Sequence, residues 1–349
     1  MARPSPARRV LALAATLAAL TGVALVARQA PPPQAEMTAA AAKFLASLDP
    51  EQKQAAAFAF DDPHRMKWYF TPQQVKGQSQ RKGLRMDKMT PAQRDAALAL
   101  VKTGLSVSGT SQVETIRSLE NVLKALEKNG VNTRNPDWYF VSVFGDPAAT
   151  GRWGWRFEGH HLSVNFTLDN GTVVAATPLV FAANPAEVRT GPEKGLIALP
   201  EVASLAQTLI DSFTPEQKKL AEKTNQFPEI KEGQPEAAVG APVGIPAEQL
   251  NAEQSKTLKK LIQVYANRLT PLLAAAELKR VKDAGADNVR FAYCVQPTKP
   301  GEPYSYRIQG PTFVVEFLNV QADSAGNPAN HYHTGWRRLP IDFGLATKK

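Results

Sequence analysis

The sequence predicts an α+β fold: an antiparallel sheet from residues 138–181 and 288–320, packed by helices in a single large domain. Two observations carry this. The hydrophobic pattern runs helices, strands, helices, strands, and lacks the strict alternation that builds a parallel sheet. The chain has 349 residues, 43% hydrophobic and 21% charged, which suffices for a substantial core.

The first segment stands apart. Arg3, Arg8 and Arg9 precede an uncharged run of apolar or small residues from Leu11 to Ala27, closed by Arg28. This three-part layout predicts an export signal over residues 1–30 and a periplasmic or extracellular protein. An uncleaved anchor is the alternative, because the run is at the short edge for a spanning helix. After cleavage no stable membrane span is expected. Removing four arginines lowers the net charge from +9 to +5, with 37 basic against 32 acidic residues. A mildly basic chain without a basic run argues against a nucleic-acid partner.

Four phrases start helices: LDPEQ from Leu48, MTPAQ from Met89, FTPEQ from Phe213 and LNAEQ from Leu250. Each has a capping residue (Asp49, Thr90, Thr214, Asn251) and Gln three positions on, so each reads as a capping box. Helix physics alone explains their similarity. Helices are expected near 37–60, 90–105 and 112–129, the last from the apolar spacing Val113, Ile116, Leu119, Leu123, Leu126. WYFVSVFG, RWGWRFEG, HHLSVNFTLD and TVVAATPLVF then read as strands, with Asp169-Asn170-Gly171 as a tight hairpin turn. Helices return at 199–223. Residues 226–248 are rich in Pro and Gly and read as a surface excursion. A long helix is expected over 252–282, followed by the strands VRFAYCVQ, YSYRIQG and TFVVEFLNVQ. The single cysteine, Cys294, excludes an intramolecular disulfide and is expected to be a buried thiol on its strand.

Candidate chemistry centres on five histidines: His64, His160, His161, His331 and His333. On a strand, residues two apart face one way, so His331 and His333 can aim at one point, a common way to hold a transition metal. His160 and His161 follow Gly159 at an expected strand start, where neighbours face opposite ways. His161 shares parity with Ser163, Asn165 and Thr167, and is expected as the third ligand. His160 shares parity with Leu162, Val164 and Phe166, and is expected behind it. Glu316 interrupts an apolar strand. A carboxylate there needs metal, a role as base, or an Arg partner. Asn319 and Gln321 lie on its opposite face. Arg65, in DDPHRMKWYFTP, is a candidate substrate contact. Arg337 is a candidate clamp for an anionic substrate, with Asp342 as its possible partner. No Walker loop, dinucleotide fingerprint, HExxH or CxxC is present.

Several segments together resemble a known family. HRMKWYFTP, TPAQRDAALALVKTGLS, YFVSVFGDP, WGWRFEGHHLSVNFT, TPLVFAANPAEV, EFLNVQ and HYHTGWRRLPIDFG are similar, in that order, to the bacterial domain-of-unknown-function family DUF3500. The resemblance implies one α+β domain over residues 37–345. It places His160, His161, Glu316, Asn319, Gln321, His331, His333, Asp342 and Gly344 at the family's motif positions. It implies no activity. One position departs: the residue after Arg337 is often acidic in relatives and is Arg338 here.

The reading that follows is an exported protein with a histidine metal site for Zn, Cu, Mn or Fe, expected to be a metal-dependent hydrolase. Its ligands would be His161, His331 and His333, with Glu316 as fourth ligand or base. A non-catalytic periplasmic module holding a carbohydrate or organic anion, as a small-molecule ligand, on Trp138, Trp153, Trp155, Trp336 and Arg337 is the alternative. A structural envelope protein, its histidines a buried network, is the third reading.

Overall fold

In each of the four repeated phrases the capping side chain accepts from the backbone N–H three residues on, and the glutamine there returns the bond. The glutamines also reach each other. The amides of Gln52 and Gln93 face and exchange hydrogen bonds of 3.1 and 2.7 Å, and those of Gln217 and Gln254 do the same at 2.9 and 2.8 Å. Two phrases thus lock together in each half of the molecule.

The computed structural model describes residues 33–75, 78–294 and 302–345. The expected export segment lies outside them. The first half comprises α1 (Pro33–Ala46), α2 (Pro50–Ala56), β1 (Ala57–Phe58), a hairpin of β2 (Gln74–Val75) and β3 (Gln78–Ser79), and β4 (Leu84–Arg85). There follow α3 (Pro91–Gly104), α4 (Val107–Leu126), α5 (Gly130–Thr133), β5 (Phe140–Phe144), β6 (Arg152–Gly159), β7 (Leu162–Asp169), β8 (Thr172–Ala175) and β9 (Leu179–Phe181). The second half begins with α6 (Pro200–Asp211), α7 (Pro215–Ala221), β10 (Glu222–Lys223) and β11 (Ile245–Pro246). It ends with α8 (Ala252–Ala266), α9 (Pro271–Asp283), β12 (Arg290–Cys294), β13 (Tyr304–Gln309), β14 (Phe313–Gln321) and β15 (His331–Arg338).

The fold is α+β, as expected, with three corrections of detail. The helices expected as single runs at 37–60 and 252–282 are each broken, the first where Asp49 caps a new helix and the second where Pro271 starts one. The sheet is antiparallel except at its edges, where β1 runs parallel to β5 and β10 parallel to β12. Residues 226–248 lie over the sheet, with Phe227, Ile230 and Ala237 buried. The Asn170-Gly171 turn forms with positive φ at both residues, and Cys294 is buried on β12.

The order β1-β5-β6-β7-β9-β15-β14-β13-β12-β10 reads the same from either edge. Registers match as well: Ala57 pairs Val143 where Glu222 pairs Tyr293, and Arg156 pairs Asn165 where Arg307 pairs Glu316. The halves meet where Leu179 pairs Trp336. Above the sheet Leu105 bridges Leu269, and Ser106 N–H donates to Arg268 O (2.9 Å) while Thr270 N–H donates to Gly104 O (3.1 Å). Such reciprocal pairs define a local twofold relation between two repeats.

One sheet face carries Phe157, Val164, Tyr306, Phe317 and Trp336, which pack in the main core under the helices. Burying each such side chain stabilises the fold by about 1.5–3 kcal/mol. The opposite face is polar yet buried: Arg156, Glu158, Asn165, Arg307, Glu316 and Arg337. Loops cover it and supply carbonyl acceptors to its cations and amides. Val239 O accepts from Arg307 at 3.0 Å, Gly240 O from Gln309 at 2.9 Å, and Lys231 O from Arg337 at 2.6 Å.

Candidate metal centre

Strand β9 lies between β7 and β15, pairing Phe181 with Leu162 and Val180 with Gly335. The start of β7 and the start of β15 are therefore neighbours across β9. His331 and His333 share one face of β15, as strand parity requires. His161 arrives differently from the expectation. His160 and His161 form the two-residue turn between β6 and β7, and His161 has φ +64°. Strand parity does not apply in a turn, and the two rings lie side by side with centroids 3.7 Å apart. For a residue with a Cβ this left-handed backbone costs about 1 kcal/mol or more. Two bonds hold it: His161 N–H donates to Phe70 O (2.7 Å), and its carbonyl accepts from Ala182 N–H (2.8 Å).

The three side chains converge. Nε2 of His331 lies 3.0 Å from Nε2 of His161 and 3.0 Å from Nε2 of His333. One donor nitrogen from each residue lies within 4.8 Å of the others, and His161 and His333 are buried while His331 is half-buried. Burial drives the His161 ring well below its ordinary protonation range, aided by the neighbouring histidines, and takes His331 down to about 3. The His161 and His331 rings are therefore neutral.

Their outer bonds fix which nitrogen carries the proton. His333 Nδ1 contacts Glu229 Oε2 at 2.8 Å. A carboxylate only accepts, so Nδ1 holds a hydrogen and Nε2 is the nitrogen turned to the cluster. His331 makes a backbone hydrogen bond at Ala322 that favours a protonated ring nitrogen. With its Nε2 turned to the cluster, that proton belongs on Nδ1. Three ring nitrogens thus meet at one place, and the outer nitrogens of His333 and His331 are held by protein acceptors. The donor set fits a metal ion.

The surrounding residues brace the cluster. Asn319 Oδ1 accepts from His331 N–H at 3.2 Å, at an irregularity between Leu318 and Gln321 in the β14–β15 pairing. Gln321 pairs with His331 in register and is exposed. His160, behind His161, contacts Glu120 at 2.5 Å and Arg134 at 2.9 Å. Phe70 sets its ring edge-on to His333, centroids 5.0 Å apart. Burial would raise the Glu229 carboxyl, yet the bond from His333 holds it below the ordinary carboxylate range.

Other expected site residues lie elsewhere. Glu316 pairs with Arg307 at 3.1 Å inside the sheet and does not join the histidines. Arg337 is fully buried and fully used, by Asp342 (2.6 Å) and the carbonyls of Lys231 and Gln234, over the Trp68 ring. Neither it nor Asp342 is free to meet a substrate. Arg65 is buried, donates to Phe60 O at 2.9 Å, and lies over the Phe60 ring. Arg338, on the other strand face, pairs with Glu277 at 2.6 Å, so an acid at that position would face away from the histidines. Trp153, Trp155 and Trp336 are core residues, so of the four tryptophans expected to form an aromatic surface Trp138 alone is partly exposed. Glu229, Glu120 and Phe70 escaped sequence reasoning. Nothing local marks a glutamate in a Pro-rich loop as the partner of a histidine 104 residues away.

Fold and site together define an α+β protein with a three-histidine cluster able to hold a metal ion. Residues 31–345 match DUF3500, described as a protein of unknown function, and the chain belongs to that family. Comparison with curated proteins and with solved structures gives no match.

Proposed function

We propose that this is an exported metalloprotein in which His161, His331 and His333 hold a divalent transition ion, and that it acts as a hydrolase. The observation that carries the reading is the convergence of three histidine ring nitrogens within 4.8 Å of one another. Imidazole donors suit Zn, Cu and Fe better than Mn. Bound by three neutral ligands, such an ion supplies Lewis acidity and lowers the pKa of a coordinated water. The chain's own residues orient the donors. Glu229 fixes the His333 tautomer, Asn319 anchors the start of β15, and His160 with Glu120 and Arg134 backs the His161 turn. His331 is the most accessible ligand, so the substrate side of the site is the rim of β15. Export rests on the layout of residues 1–30. Among the described residues no helix is long and apolar enough to cross a membrane.

Elemental analysis tests the reading. The tag-free protein, incubated with Zn, Cu, Mn or Fe and dialysed, is expected to hold close to one ion. The His331→Ala/His333→Ala variant, folded by circular dichroism, is expected to hold none. Absence of metal from the parent would sink the proposal, and equal content in both would displace the site. Mass spectrometry of protein from an exporting host is expected to show a start between residues 28 and 36. A full-length chain would refute cleavage.

A further inference from the structure

The twofold relation exposes a second asymmetry, unrelated to the histidines. Gly104 and Arg268 occupy corresponding places, each giving its carbonyl to the opposite repeat's helix cap, Thr270 or Ser106. In the first repeat only glycine fits, since a Cβ would lie 2.5 Å from the Phe166 ring. The second repeat carries arginine there, 1% exposed. Its guanidinium lies 4.7 Å from the ring centroids of both Phe181 and Tyr265. Nε donates to Gln112 Oε1 at 3.2 Å, whereas both terminal nitrogens lack a hydrogen-bond partner. No carboxylate among the described residues pairs with it. A buried cation left so is costly, and the glycine in the other repeat shows that the backbone there does not require it.

Gln112 is half-exposed and has a second role. It lines a cleft of about 610 Å³ between α4, the start of α6 and α8. Val107, Ile197 and Val264 supply apolar wall, Ser111 a hydroxyl, and Glu201 a carboxylate. Val107 is 92% exposed, a large apolar side chain held in water at the cleft's edge.

We propose that this cleft binds a small amphipathic monocarboxylate. Its carboxylate is taken by Arg268 and Gln112, and its apolar body lies against Val107, Ile197 and Val264. A guanidinium with both terminal NH2 groups unused matches a carboxylate in a fork. Gln112 lines the cleft and accepts from Arg268 Nε, while Arg268 itself does not line it, so binding requires Gln112 to turn aside. Glu201 repels a dianionic phosphate more than a monocarboxylate, so phosphate is the discriminating control. The site uses none of the three histidines.

Isothermal titration of the full chain with hexanoate, hexanamide and inorganic phosphate tests this. Hexanoate is expected to bind saturably, with hexanamide at least about tenfold weaker, the value of hydrogen bonds to a charged group, and phosphate weaker still. Arg268→Met is expected to lose hexanoate binding. Should that core variant not fold, Ser111→Trp fills the cleft from an exposed helix position and is expected to block binding. No heat from hexanoate at tens of millimolar would overturn the proposal. So would equal binding of hexanamide, tighter binding of phosphate, or unchanged hexanoate affinity in Ser111→Trp.

Discussion

Replace Glu316 with Ala and the Arg307 guanidinium loses its carboxylate inside the sheet. Both groups are nearly buried, at 4% and 6% exposure. Burial lifts the Glu316 carboxyl above its ordinary value, against the pull of Arg307. After the change Arg307 keeps one carbonyl, Val239 O at 3.0 Å, and the Phe227 ring at 4.5 Å. Breaking a buried pair from one side costs about 3–5 kcal/mol. Glu316→Gln keeps the shape and one acceptor, so its cost is nearer 1.5–3 kcal/mol. Urea unfolding followed by tryptophan fluorescence reads both, since Trp336 is buried in the same sheet. Metal content is expected to be unchanged in either folded variant. A loss below about 1 kcal/mol for Glu316→Ala, or metal loss in a Glu316→Gln protein of full stability, would refute the reasoning and return the acid to the metal.

Two further outcomes test the frame around the site. Gln93→Ala strands Ser47 O and Thr90 N–H, both bonded at 2.8 Å, and is expected to cost about 2 kcal/mol. Gln254→Ala repeats this in the other half, and the double variant is expected to be additive within about 0.5 kcal/mol; a coupling above 1 kcal/mol would contradict independent interlocks. His64 is held at about 3 by burial and by Arg156, whose NH2 lies 2.7 Å from Nε2. The unfolded chain takes up that proton first as the pH falls below 6.5. His64 therefore contributes fully above 6.5 and loses about 1.4 kcal/mol per pH unit down to about 3. In His64→Gln the stability–pH slope between 6.5 and 4 is expected to flatten by that amount, and identical slopes would refute the assignment.

Much of the fold was legible because its signals are local. Capping boxes, the Asn170-Gly171 turn and alternating strands are written in runs of a few residues. The repeat was half visible. Four similar helix starts were apparent, but their pairing rests on glutamines 41 and 37 residues apart, which periodicity cannot reach. The three clustered histidines were legible through residue type, and His161 was assigned by parity although it stands in a turn. Glu316 and Arg337 misled for one reason. A charged residue in an apolar strand declares that it has a partner, without declaring whether that partner is substrate, metal or a second charge. Here both polar-face charges are neutralised within the scaffold, Arg307 by Glu316 and Arg337 by Asp342.

Glu229 shows how a symmetric scaffold acquires an asymmetric site. Counted from the equivalent strand residues Ala57 and Glu222, His64 and Glu229 fall at the same place in loops that cover the polar face. His64 serves the scaffold by accepting from Arg156, whereas Glu229 serves the cluster by accepting from His333. Its side chain is 41% exposed, so the pair itself contributes little stability, about 0–1 kcal/mol. Its effect is on ring orientation and basicity. Loss of such an outer carboxylate lowers metal affinity about 10–100-fold. Glu229→Ala is accordingly expected to weaken binding by that factor in competition with a chromophoric chelator, with unfolding free energy nearly unchanged. Glu229→Gln, which can still present an oxygen to Nδ1, is expected to recover part of the loss. Parent-like affinity in the Ala variant would mean that His333 holds its orientation without help, and Glu229 would have no part in the site.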